Sequence, residues 1–336
     1  MTEIADKAKF ELEPVVVASD KNAVQGGSRR FAYTLLKLTV SFALIAAMLC
    51  RAGFGETMAK LTSASLSWLL AAAVAYFLGV FLRAWRWRVL LAGLEIKATI
   101  GQLSRLYLVG FFFNQIIPTG IGGDAMRAYM LAAKGVGSAK VANSVVVDRA
   151  AGLYSLLLMG AVAMLLRPYM VPKSTAVLLG AMVALATITV VLVFWSAGRL
   201  TLDMLPQRLK GRVTKLITDF YSAFAAYKLG TLLNAVLISF LFNLLLVLTN
   251  IFLAEALAIN VSAWHLLFFV PIISATLLIP FSINGAGTRE LTYVYLLGQV
   301  GISAESALAM SLSMYGLNLL LGILGAGCFV LDRRSA

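Results

Sequence analysis

Residues 111–131 read FFFNQIIPTGIGGDAMRAYML, and residues 278–297 read LIPFSINGAGTRELTYVYLL. Each is an apolar run broken in its middle by proline and glycine. Proline ends a regular helix because it lacks an amide donor, and glycine lets the following backbone turn tightly. Each stretch therefore reads as two half-helices joined at a break. In a membrane such a break is tolerated only where protein surrounds it or a polar cavity lies beside it. Pro118, Gly120, Gly122 and Gly123 in the first stretch, and Pro280, Gly285 and Gly287 in the second, are the expected hinge positions. Each stretch is expected to enter and leave on one side of the membrane, as a re-entrant hairpin.

The rest of the chain explains why a membrane is the setting. Of the 336 residues, 61% are hydrophobic and 13% charged, and the mean hydropathy is +0.90, more apolar surface than a soluble domain of this size can hide. Runs of the roughly 18 to 20 apolar residues needed to cross the hydrocarbon core recur from about Tyr33 onward. Full spans are expected near 33–50, 66–83, 148–166, 175–197, 231–253 and 304–331. The expected fold is an all-α polytopic helical bundle with about six full spans and the two broken hairpins. A single membrane domain covers 33–331, between a polar cytosolic tail at 1–32 and a short cytosolic end at 332–336.

Charge sets the expected orientation. The net charge of +13 raises the possibility of a nucleic-acid partner, but the location of the charge argues for a topology signal instead. Lys and Arg crowd into the tail, 83–105, 134–140, 199–228 and the C-terminal end, while Arg51, Lys60, Arg167 and Lys173 fall on the other side. By the positive-inside rule both termini are cytoplasmic, in a bacterial cytoplasmic or inner membrane. Within 205–228, Leu209, Val213, Leu216, Phe220 and Phe224 share one helical face and basic residues flank it, which predicts a helix lying flat on the inner leaflet. Arg83, Trp85, Arg86, Trp87 and Arg88, at the expected inner end of a span, read as interfacial anchors. Cys50 and Cys328 are expected near opposite faces and unpaired. His265 is the sole histidine, and no P-loop, metal-binding carboxylate pattern or nucleophile motif occurs, so neither metal nor cofactor is expected.

The two broken stretches also match each other. Pro118, Gly123 and Arg127 recur as Pro280, Gly285 and Arg289, each 162 residues later. The same offset carries the span near 66 onto the one near 231, and the stretch near 141 onto the final span. Two repeats, 33–166 and 175–331, are expected to have opposite orientations, a common transporter design.

Half-helix starts offer unpaired amides that attract anions, and Arg127 and Arg289 lie a few residues further on, where a guanidinium can grip a phosphate through parallel hydrogen bonds. Asp124, Glu290, Asp148 and Arg149 add charge at membrane depth. One such charge costs about 2.5 to 3.5 kcal/mol on insertion scales, so each must be paired or functional. One reading is mutual neutralisation, with Asp124 pairing Arg149, Asp148 balancing Arg127 and Glu290 balancing Arg289. The other makes all six, with Asn114, Gln115 and Asn284 beside the breaks, a substrate-binding set. The three amides also suit freed backbone groups.

The segments FFFNQIIPTGIGGDAMRAYML, SVVVDRAAGL and PFSINGAGTRE resemble the signature regions of the lysylphosphatidylglycerol synthase transmembrane, or flippase-like, family, with likeness over about residues 35–331. On that resemblance Gly122, Gly123, Asp124, Arg127, Asp148, Arg149, Asn284, Gly285, Gly287, Arg289 and Glu290 fall on motif positions. Family members often carry Glu at the position of Asp148 and Val or Leu at that of Thr288. The resemblance implies a lipid flippase. Its partner is then a membrane phospholipid or lipid-linked substrate rather than nucleic acid, with a homo-oligomer or a partner lipid synthase also in view. The soluble aminoacyl-transferase domain of the synthases has no counterpart in these residues, so the chain is not expected to synthesise lysylphosphatidylglycerol unaided, and a different lipid is open as its substrate. Two other classes stay open: a membrane-embedded lipid transferase, and a secondary transporter of a small soluble anion.

Overall fold

The computed structural model describes Thr39 and residues 53–117, 122–194, 223–277 and 285–334. Among these, the regular structure is helical. The helices are α1 (Phe54–Thr62), α2 (Leu66–Gly93), α3 (Ile100–Ile116), α4 (Gly122–Ala132), α5 (Ser138–Leu166), α6 (Lys173–Phe194), α7 (Leu229–Ala256), α8 (Ala263–Thr276), α9 (Thr288–Gly298) and α10 (Ala304–Arg334), with one 3-10 turn at Pro168–Met170.

Among the described residues, four helices are long and apolar enough to cross a membrane: α2, α5, α7 and α10. At 1.5 Å per residue, helices of 28 to 31 residues reach about 42 Å or more, beyond the hydrocarbon core. The chain is a multi-pass membrane protein, and its exposed surface has the matching chemistry. Leu66, Val74, Leu78 and Phe81 on α2, and Leu233, Leu237, Leu241 and Leu244 on α7, are exposed at spacings of three, four or eight that form apolar stripes for lipid. The apolar stretch of α6, Lys173–Thr189, is shorter than the four. The expected span at 33–50 and most of the flat helix at 205–228 lie outside the described residues.

Two boundaries differ from expectation, with consequences for charge. The span expected at 66–83 continues as helix to Gly93, and the one expected to begin at 148 begins at Ser138. Both extensions are moderately polar helical turns that a hydropathy window trims. Arg86, Trp87, Asp148 and Arg149 consequently lie well inside long helices and not at their ends.

The helices fall into two similar series. Lengths of 28, 17, 11 and 29 residues in α2 to α5 are followed by 28, 14, 11 and 31 in α7 to α10. The leading helices of the two series pack along their lengths and run antiparallel. Ser65 before α2 donates its amide to the Ala256 carbonyl at the end of α7 (2.8 Å), Gly79 in mid-helix lies against the Phe242 ring, and Gly93 at the end of α2 lies against Thr231 and Tyr227 near the start of α7. The other contacts exchange between series: α3 packs on α10, and its counterpart α8 packs on α5. Glycine sits at both crossings. Gly325 lies against the Leu108 backbone and Gly160 against Pro271. Gly322 also faces α3, so these small residues serve packing within the chain.

Each break is closed by specific local chemistry. Thr99 caps α3 by accepting from the Gln102 amide (3.2 Å), and Ser262 caps α8 by accepting from the Trp264 amide (3.3 Å). Helix α3 stops at Ile116, as expected before Pro118. Gly285 and Gly287 have φ of 76° and 86°, the left-handed region that glycine enters without penalty. Gly123 has a different reason for being glycine: a Cβ there would lie 2.1 Å from the Gly110 carbonyl oxygen of α3. Pro118, Gly120, Pro280 and Asn284 lie outside the described residues. Cys328 is free in α10, and Cys50 is likewise not described.

Candidate functional site

Asp148 on α5 is 1% exposed and collects donors from three other helices. Arg86 Nε from α2 reaches one carboxylate oxygen at 2.6 Å, while Arg127 Nη2 from α4 (2.9 Å) and the Tyr107 hydroxyl from α3 reach the other. Two arginines and a phenol on one buried carboxylate compensate its removal from water. Arg86 Nη1 also donates to Ser239 Oγ on α7 (2.9 Å), and its guanidinium occupies space that a side chain at Gly152 would fill. Five helices thus converge on one charged knot.

Arg127 is 2% exposed and is held on both faces of its chemistry. Its guanidinium carbon lies 4.2 Å from the Tyr107 ring centroid and 4.6 Å from that of Trp87. Its Nε donates to Asp124 Oδ1 (2.9 Å), and the second Asp124 oxygen accepts from Arg149. With Nε and Nη2 engaged, the two parallel bonds expected towards a phosphate are not free, and the remaining nitrogen, Nη1, is buried without a partner. Trp87 in turn donates to Ser144 Oγ (2.9 Å).

The second break is organised more locally. Glu290, 1% exposed, accepts from the Gly287 amide (2.6 Å), from Arg289 Nη2 (2.7 Å) and from Ser311 Oγ (3.2 Å). Arg289 lies 5.0 Å from the Tyr315 ring centroid. Tyr293, one turn on, donates to Asn250 Oδ1 on α7 (2.6 Å).

The amides expected to await an anion are partly occupied from within. Glu290 caps the start of α9, and Asn114 Oδ1 accepts from Gly123 N at the start of α4 (2.7 Å). Of the sequence-derived set, Asp124, Arg127, Asp148 and Arg149 meet in one network, with Asn114 beside it, while Arg289 and Glu290 form their own pair. The three charge pairings foreseen as neutralisation are present, and Arg86–Asp148 and Arg127–Asp124 add to them. Gln115 lies along α10 near Gly322.

Both breaks border one cavity of about 800 Å³. Its wall includes Arg83, Arg86, Asp124, Arg127, Asp148, Arg149 and Arg289, and elsewhere Leu153, Leu156, Val270, Ile273, Leu277 and Met314. The wall is therefore amphipathic, with charged and apolar side chains both bordering the space.

Sequence reasoning missed Arg86, Trp87 and Tyr107, and assigned the Trp-Arg stripe to the interface. At 100° per residue the stripe divides: Trp85 and Arg88 face outward, and Arg86 and Trp87 are buried. Continuing the helix past residue 83 is the signal that finds them, because an arginine that deep needs a carboxylate and Asp148 is available.

No curated protein sequence matches the chain. The profile of the lysylphosphatidylglycerol synthase TM region matches residues 34–325. That match spans the capping motifs, the Asp148 knot and both helix series, and the chain belongs to the lysylphosphatidylglycerol synthase transmembrane family.

Proposed function

We propose that this protein is a lipid flippase, moving a phospholipid or lipid-linked headgroup between leaflets. The observation that carries the reading is the amphipathic cavity: arginines from both broken stretches border a space whose wall also holds aliphatic residues such as Leu153, Leu156, Val270 and Ile273, aromatic rings and a few amides. A lipid has the same division, and a headgroup taken there exchanges water for fixed charge while its chains stay against apolar surface. The antiparallel leading helices and exchanged contacts support two inverted repeats, 33–166 and 175–331, around the cavity. On this reading α3–α4 and α8–α9 are re-entrant hairpins, one towards each side, and their alternating exposure carries the headgroup across. Both termini are cytoplasmic in a bacterial inner membrane, and a partner lipid synthase or a second copy is compatible with the exposed apolar faces.

Arg127 and Arg289 are the proposed contacts of the phosphate. The purified protein in vesicles containing fluorescent lipids of varied headgroup, followed by access to an external quencher, tests this. Movement that depends on headgroup and is lost in folded Arg127→Ala and Arg289→Ala variants is the expected result. No movement of any lipid, with or without an ion gradient, overturns the flippase reading. Uptake of a soluble anion in its place points to the transporter class, and a modified lipid product to the transferase class.

A further inference from the structure

Arg83 is the cavity's unmatched cation. It stands on α2 one turn before Arg86 and lines the same space. Its guanidinium carbon lies 4.2 Å from the Phe242 ring centroid and 5.3 Å from that of Phe111, and among the described residues it meets no carboxylate. Aromatic rings attract a cation but leave its N–H donors unused. Arg127 adds a second unused donor, its buried Nη1.

The charges around the cavity point the same way. Five arginines and two aspartates line it, and Glu290 behind the wall balances Arg289. Asp124 and Asp148 are shared among Arg86, Arg127 and Arg149. Among the described residues, two positive charges remain without a counter-charge, counting Arg83. The chain between the described ends of each break, residues 118–121 and 278–284, contains no Asp or Glu that could supply one. Conversely, each carboxylate of the wall is already held by two cations, so a ligand's ammonium group finds no free acidic partner. The Phe111 and Phe242 faces that could otherwise receive it carry Arg83.

We infer that Arg83 forms an anion subsite that selects phosphate-ester headgroups of net negative charge over headgroups carrying an ammonium. This rests on the reading of the cavity as the headgroup site and names the substrate class: phosphomonoester, phosphoglycerol or sugar-phosphate lipids, not ethanolamine, choline or aminoacylated ones. A phosphate oxygen meeting the Arg83 guanidinium adds charge-assisted hydrogen bonds, and a competing ammonium adds repulsion.

Binding measured apart from transport tests this. Dihexanoyl phosphatidate, phosphatidylglycerol, phosphatidylethanolamine, phosphatidylcholine and lysyl-phosphatidylglycerol are titrated calorimetrically against the full chain in a neutral detergent, with glycerol 3-phosphate as the soluble anion. The two anionic lipids are expected to bind at least about tenfold more tightly than the other three, the size of one charge-assisted hydrogen bond. Arg83→Gln removes that preference, Arg83→Lys recovers much of it, and Arg88→Gln, an exposed arginine further along the same helix, leaves it unchanged. Glycerol 3-phosphate binding with the same Arg83 dependence also supports the subsite and assigns it to soluble anions. Equal or tighter binding of the ammonium lipids, or an unchanged preference in folded Arg83→Gln, overturns it. Selective binding without movement in vesicles sinks the flippase reading alone, and movement of ammonium lipids in preference to anionic ones sinks this inference alone.

Discussion

The two broken stretches share residue spacing and solve their charge problem in opposite ways. Around α4, Arg127 reaches across to α5, where Asp148 also receives Arg86 from α2 and Tyr107 from α3. Around α9, Arg289 turns to its own chain neighbour, Glu290, whose other oxygen caps the helix. The first stretch is tied to the bundle through long-range contacts, and the second is largely self-contained. Sequence equivalence therefore does not imply energetic equivalence. If α9 shifts it keeps the Arg289–Glu290 pair and its cap and gives up only neutral partners such as Ser311 and Asn250, whereas α4 cannot move without opening the Asp148 knot. Arg83, which meets no carboxylate among the described residues, and the unbonded Nη1 donor of Arg127 also lie on the first side.

The largest effect expected from this contrast is that of Asp148→Asn, which strands the buried Arg86 guanidinium, leaves Arg127 with Asp124 as its sole carboxylate and costs about 3 to 5 kcal/mol. Glu290→Gln strands one and keeps an oxygen for the Gly287 amide, so its cost is about 2 kcal/mol. Apparent melting in detergent ranks the two, and an Asp148→Asn shift no larger than that of Glu290→Gln breaks the comparison. The two crossings give a second contrast. A Cβ at Gly325 falls 1.9 Å from the Leu108 carbonyl oxygen, a main-chain atom, while one at Gly160 falls 2.9 Å from the Pro271 ring. Gly325→Ala is expected to cost about 3 kcal/mol and Gly160→Ala about 1 kcal/mol, since the overlap with the Pro271 ring is much the smaller of the two. Equal melting shifts would show that α3–α10 and α8–α5 are equally adaptable. The smallest effect is that of Arg149→Gln. Arg149 is 38% exposed, so its pair with Asp124 is screened and contributes below about 1 kcal/mol. A shift as large as that of Glu290→Gln would mean that Arg149 belongs to the buried knot.

Much of this molecule is legible along the chain. The apolar runs announce the crossing helices, because a helix in lipid must present a continuous apolar surface. Pro118, Pro280 and the nearby glycines announce the breaks, because their backbone restrictions act locally. The offset between the two stretches announces the paired helix series. The neutralising partners of Arg127, Arg149 and Arg289 were also accessible, since a charge at membrane depth requires its opposite and few carboxylates are on offer. Arg86 and Arg83 were not legible as cavity residues, because hydropathy windows end α2 where its polar turns begin.

The sequence by itself thus determined the membrane class, the places where helices break and the existence of two related series, all properties set by local backbone chemistry and by solvent. Only the tertiary structure decided that Asp148 is shared by Arg86, Arg127 and Tyr107, that Glu290 serves its own helix, and that Arg83 is left facing the cavity without a carboxylate. Electrostatic pairing depends on distances of a few ångströms between helices tens of residues apart, and those distances are fixed by how glycines such as Gly110, Gly123, Gly152 and Gly325 let the helices approach.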